Sequence, residues 1–224
     1  MKQRILVEGA DIHLILHLCM ARGFKGLLKG FVSEDDFKQN FLINKEKRGK
    51  NEVLRDIRAA AKDPDITNLG IVVDADDSAE STWQSVRAAL EKTGCPDLPA
   101  KPEANSLILQ PSSNLPYLQK RIGVWIMPDN QSPRAIEDLF LQLISEENYH
   151  LQRAKTVVAE LIAEGQNLFS KTSSNKAEAH TWLAWQEEPG KSMGLAIKSN
   201  WVNTEHPVAA RFAAWFSRLF ELEN

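Results

Sequence analysis

Gly70-Ile71-Val72-Val73-Asp74-Ala75-Asp76-Asp77 is an apolar, β-branched run entered from a glycine and closed by carboxylates. Such a run reads as a buried strand that ends in charge. Side chains on extended backbone alternate faces, so Asp74 and Asp76, two residues apart, are expected to point the same way. Two hard oxygen ligands side by side suit a Mg²⁺ ion, which keeps several waters of its own. Ile5-Leu6-Val7-Glu8-Gly9 repeats the pattern: an apolar run, one carboxylate, then a glycine that lets the chain turn. The two strand ends are expected to be neighbours across a parallel sheet, with Glu8 beside the aspartates.

Outward from these strands, helices and strands alternate. Residues 11–22 have helical apolar spacing up to Gly23, and residues 51–61 form a helix stopped by Asp63-Pro64. Short strands or their connections are expected at 24–31 and 36–43. A further helix spans 81–93 before Gly94 and Pro96, and strands follow at 107–110 and 122–127. Strand and helix in alternation argue for an α/β fold with a mostly parallel sheet flanked by helices. Residues 134–144 read as the next helix, and the chain becomes mainly helical from His150, with helices at 151–164, 177–185 and 208–222 and a Ser/Asn-rich loop at 171–176. The expected division is an α/β domain over 1–148 and a helical C-terminal extension over 149–224, packed on the same core. Four of the six tryptophans, Trp182, Trp185, Trp201 and Trp215, fall in that last part and are expected to pack its helices onto the sheet.

The 224 residues can bury one good core, and 43% hydrophobic with 25% charged residues is an ordinary globular composition. No apolar run reaches the ~18 residues of a spanning helix, so no membrane association and a cytoplasmic location are expected. Cys19 and Cys95 are too few for a disulfide framework or a four-cysteine zinc site. A net charge of −3 gives no global attraction for nucleic acid, so any phosphate-binding surface is local. The densest basic stretch, Lys45-Glu46-Lys47-Arg48-Gly49-Lys50, makes Lys45, Lys47, Arg48 and Lys50 candidates for phosphate-backbone contacts, against the simpler reading of a solvated surface run.

In open α/β sheets ligands bind beyond the carboxyl ends of the strands, where Glu8 and the Asp74/Asp76 pair are expected. Three acidic groups there repel one another unless a cation sits among them. A divalent ion would activate water and neutralise charge on a phosphoryl oxygen, with Glu8 exchanging a proton. Helix capping by Asp77 and Ser78 explains one acidic residue but not three. Asp129, with Glu137 and Asp138, is a candidate ligand for a second ion, although acids at a helix start explain the latter two equally well. His13 and His17 lack the glutamate of a zinc-protease motif. Gly190-Lys191-Ser192-Met193-Gly194 matches a hydrolase nucleophile pattern, but it is expected to precede an extended segment, so the strand-turn-helix context is missing.

Leu6-Val7-Glu8-Gly9 together with Val72-Val73-Asp74-Ala75-Asp76 resembles the Toprim superfamily, whose signature is a glutamate after the first strand and Asp-x-Asp after a later one. The resemblance covers about the first 130 residues. It implies a Toprim-like, Rossmann-like sheet, Glu8 as general acid/base, and Asp74 and Asp76 holding Mg²⁺, for which Mn²⁺ can substitute. Trp125-Ile126-Met127-Pro128-Asp129-Asn130 and the closing residues 212–220 resemble a small uncharacterised bacterial family of Toprim-like proteins. That wider group, including the overcoming-lysogenisation-defect nucleases, implies a nucleic-acid substrate, DNA or RNA, an ATPase partner in phage defence, and pairing of two copies. With only Tyr117 and Tyr149 and no length for a gate, a topoisomerase is not expected, and two cysteines cannot supply a primase zinc module. Two readings stay open: a Mg²⁺-dependent nuclease, and a non-catalytic metal- or nucleotide-binding adaptor of an ATPase system.

Overall fold

A computed structural model describes residues 2–8, 12–22, 49–95, 97–104, 107–111 and 120–222. The strands expected at 24–31 and 36–43, and the basic residues Lys45, Lys47 and Arg48, lie outside the described residues. The described elements run β1 (Lys2–Val7), α1 (Ile12–Ala21), α2 (Lys50–Lys62), β2 (Ile66–Asp74), α3 (Ala79–Glu91), β3 (Leu107–Leu109), β4 (Arg121–Met127), α4 (Ile136–Gln142), α5 (Tyr149–Ala163), α6 (Ser174–Ala184), α7 (Met193–Lys198) and α8 (Pro207–Phe220).

The fold is α/β: among the described residues a four-stranded, mostly parallel sheet runs in the order β1-β2-β4-β3, with helices on both faces. β1, β2 and β4 are parallel, so their carboxyl ends share one edge. β3 runs antiparallel to β4, unlike the continued parallel alternation expected from the sequence. The connection from Leu109 to Arg121 is short for the helical crossover that a parallel neighbour needs.

Alternation along the strands divides the apolar side chains into two cores. Leu6, Ile71, Val73, Ile122, Val124 and Ile126 face α2 and α3. On the other face Ile5, Val7, Val72, Trp125 and Met127 meet α1 and the C-terminal helical layer. Trp125 anchors α8, with Phe212 edge-on at 5.2 Å and Trp215 at 5.6 Å between ring centroids. α8 comes closest over Gly70 and Gly123, partners across β2 and β4, where Leu219 and Phe220 fill the space of the missing side chains.

Local chemistry sets the helix ends. Ser78 caps α3 by accepting from the Ser81 amide, and Pro207 opens α8 at a position that needs no N–H donor. The buried Lys120 ammonium donates to the carbonyls of Ala60 at 3.1 Å and Asp63 at 2.5 Å, closing the C-terminus of α2.

Three expectations need correction. The stretch after Gly190-Lys191-Ser192 is helical, not extended: Ser192 accepts from the Leu195 amide and starts α7. Gly194 is there because α7 packs on α1, where an added Cβ would lie 2.8 Å from the His13 carbonyl oxygen. The Ser/Asn-rich loop is instead a 3-10 turn, Lys171–Ser173, running straight into α6. Of the four C-terminal tryptophans, Trp182 and Trp215 are buried and Trp201 packs half-buried against the core under the Lys191 ammonium at 4.9 Å, but Trp185 is exposed. Among the described residues no helix is long and apolar enough to cross a membrane.

Candidate functional site

Parallel pairing builds the site from two strand ends. Val7 is opposite Val72, so Glu8 emerges beside the end of β2. Glu8 Oε1 accepts the Asp74 backbone N–H at 3.1 Å. Asp74 Oδ1 in turn accepts the Ile136 N–H at 3.1 Å, which joins the end of β2 to the start of α4.

After Asp74 the backbone leaves the extended conformation. Asp76 has φ +53° and exchanges two backbone hydrogen bonds with Arg134, Asp76 N–H to Arg134 O at 2.9 Å and Arg134 N–H to Asp76 O at 2.5 Å. The alternation rule holds only along extended chain, so it does not carry over from Asp74 to Asp76, although both line one cleft. Asp76 Oδ2 instead takes the Lys50 ammonium at 2.5 Å. Lys50 also donates to Thr82 Oγ1 at 2.9 Å, and Thr82 donates to the Ala75 carbonyl at 2.9 Å. Lys50, read from sequence as a phosphate contact, thus reaches from the start of α2 into the carboxylate cluster.

The electrostatics of Glu8 stem from this setting. Burial raises its proton affinity above the ordinary carboxylate range and Asp76 adds to the rise, while the Asp74 N–H and the Lys50 ammonium work against it. Glu8 is therefore suited to carry a proton at a pH where an exposed glutamate has lost it.

Asp74, Asp76 and Asp77 line a cleft of about 730 Å³. Arg134, Lys171 and Lys176 line the same cleft from the α4 side and from the turn that opens α6. Lys176 pairs with the buried Glu137 at 2.9 Å. Asp138 accepts the Ala135 N–H at 3.2 Å and is bonded by Asn175, and burial raises its proton affinity despite those donors. Glu137 and Asp138 are thus engaged in holding α4 and α6. Asp129 also serves a local purpose: its carboxylate accepts from the Gln131 N–H at 3.1 Å, the Ser132 N–H at 2.7 Å and the Ser132 hydroxyl at 2.9 Å. It stands at the same sheet edge but not among the residues lining the cleft.

The sequence reading missed Arg134, Lys171 and Lys176. Two lysines flanking a hydroxyl-rich stretch, Lys171-Thr172-Ser173-Ser174-Asn175-Lys176, were the visible signal. His17 is buried and His13 exposed on α1, and both cysteines are free thiols in the interior.

Among the described residues, no three His, Cys, Asp or Glu side chains form a ready-made metal cage. Glu8, Asp74 and Asp76 offer only carboxylate oxygens, the donor type a hard cation takes, but the Lys50 ammonium already supplies positive charge among them.

These features define a helix-flanked α/β protein with a carboxylate cluster where two parallel strands end. The family model described as "Protein of unknown function (DUF3226)" matches residues 2–221, and the chain belongs to that family. No curated protein and no solved structure matches it.

Proposed function

We propose that this chain is a Toprim-type, Mg²⁺-dependent phosphodiesterase that cleaves DNA or RNA in the cytoplasm, in concert with an ATPase partner. The observation that carries the reading is the meeting of Glu8 with the Asp74 amide across neighbouring parallel strands, beside Asp76. Asp74 and Asp76 would hold the ion, whose chemistry is to activate water and to offset charge on a phosphoryl oxygen. Glu8 holds a proton more tightly than an exposed glutamate and is placed to pass it to or from the reacting oxygen. The Ile136 N–H fixes one Asp74 oxygen and so orients the other.

The test is cleavage of single- and double-stranded DNA and RNA by the purified chain with Mg²⁺ or Mn²⁺. Asp74→Asn should abolish it, and full activity in that variant would refute the assignment.

Lys50 neutralising Asp76 favours a second reading, an adaptor that binds metal or nucleotide and works through an ATPase. Calorimetric binding of Mn²⁺ without cleavage of any of these substrates, alone or with the product of the neighbouring gene, would select it.

A further inference from the structure

We infer that Lys171, with Arg134 and Lys176, forms the phosphate-holding rim of the cleft, so that the start of α4 and the turn that opens α6 grip the phosphodiester presented to the carboxylates. The inference rests on the proposed function and adds residues that lie beyond the Toprim-like part of the chain.

Three observations carry it. First, a chain of net charge −3 has no general affinity for polyanions, yet three cations converge on the one cleft that holds Asp74 and Asp76. A phosphate beside carboxylates needs such cations to offset the repulsion. Second, the cations are not equivalent. Lys176 is paired to Glu137, and Arg134 lies 4.0 Å from Asp138 and donates to the Ser174 hydroxyl at 3.3 Å. Lys171 is exposed and, among the described residues, is the cleft cation without a carboxylate partner. Its charge is the one left for a ligand. Third, the same turn presents hydroxyls: Ser170 is bonded to Thr172 at 2.8 Å and to Ser173 at 2.9 Å, and Thr172 and Ser173 line the cleft. Charge from lysine with neutral donors beside it suits the several oxygens of one phosphate better than it suits a carboxylate.

The ligand class is therefore a phosphodiester backbone, held through charge and not through base edges. Binding should be sequence-tolerant and weakened by salt. The experiment measures fluorescence anisotropy of a labelled single-stranded DNA and of the matching RNA in EDTA, so that cleavage does not interfere, across a series of salt concentrations with the full chain. Wild type should bind with salt-dependent affinity. Lys171→Glu should weaken binding about tenfold and reduce the salt slope by about 0.7, as loss of one phosphate contact on a single strand does, while Lys171→Arg stays within about twofold. Lys171 is exposed, so thermal unfolding of both variants should match wild type. The arm with the tighter wild-type binding identifies the source of the phosphodiester. Unchanged affinity and salt slope in Lys171→Glu would overturn the inference, as would a wild type that binds neither oligonucleotide in a salt-dependent way. Asp74→Asn, read separately by Mn²⁺ calorimetry, tests the carboxylates: normal ion binding in that variant sinks the metal site and leaves the Lys171 result to stand or fall alone.

Discussion

Lys50 Nζ lies 2.5 Å from Asp76 Oδ2 and 2.9 Å from Thr82 Oγ1, so the first residue of α2 supplies a cation to the cluster at the ends of β1 and β2. Glu8 feels the same ammonium. A charge held there offsets carboxylate repulsion, and a divalent ion bound by the same oxygens must compete with it. Lys50→Met should therefore bind Mn²⁺ more tightly, by about three- to tenfold given the partial exposure of the pair. Isothermal calorimetry on both proteins at one pH decides the point. Weaker binding in the variant would show that the lysine organises the cluster instead of competing for it.

Glu8 makes a pH-dependent contribution whose sign is set by its surroundings. Burial, reinforced by Asp76, raises its proton affinity above the ordinary value of 4.5, and the Asp74 N–H and Lys50 only partly oppose this. A carboxyl that holds its proton more tightly in the folded chain adds stability below its ordinary value and loses it as pH rises through the folded value. Glu8→Gln keeps an acceptor for the Asp74 N–H but has no proton to lose. The melting temperature of wild type relative to this variant should fall as pH is raised above 4.5 and level off once Glu8 is ionised. A difference that is flat across this range would show that the Glu8 proton is held no more tightly than in the unfolded chain.

The strand ends were legible because a parallel pair aligns the residues just beyond each strand: Val7 opposite Val72 places Glu8 against the Asp74 amide. The hydrophobic runs that mark β1, β2 and β4 carry that information locally. The turn at Asp76 was not legible, since aspartate tolerates a left-handed backbone without any glycine to announce it. Nor was the Lys50–Asp76 pair, which joins residues from separate elements. α7 is too short for helical periodicity to build up, and the turn opening α6 reads as loop because its serines and asparagine favour turns in isolation. Asp129 was a candidate ligand by type and position; that its carboxylate also accepts from the N–H groups of its own turn was not legible.

The contact between sheet and α8 predicts a graded response to small substitutions. A Cβ on Gly123 would fall 2.6 Å from Leu219 Cδ2 and 2.9 Å from Cδ1, whereas on Gly70 the nearest atom is Phe220 Cζ at 3.0 Å. Leu219 is fully buried and has little room to turn aside. Gly123→Ala should cost about 1–3 kcal/mol by overpacking, and Gly70→Ala less. Urea unfolding of the two variants reads the order, and an equal cost would mean that α8 shifts as a unit.

The buried Lys120 offers a test of what closes α2. Its ammonium donates to the carbonyls of Ala60 and Asp63, and burial makes its proton easier to lose, with the Asp63 charge opposing that effect. The bonds are to backbone oxygens, so the donor matters more than the Asp63 carboxylate. Lys120→Met keeps the apolar stem but leaves the Ala60 carbonyl and the end of the helix without this donor, at a cost of about 1–3 kcal/mol. Asp63→Asn keeps an acceptor for the Asp65 N–H, which Asp63 Oδ1 now takes at 3.0 Å, and should change stability by less than about 0.5 kcal/mol. If thermal unfolding shows the larger loss for Asp63→Asn, the Asp63 charge and not the carbonyl cap is what Lys120 depends on at the end of α2.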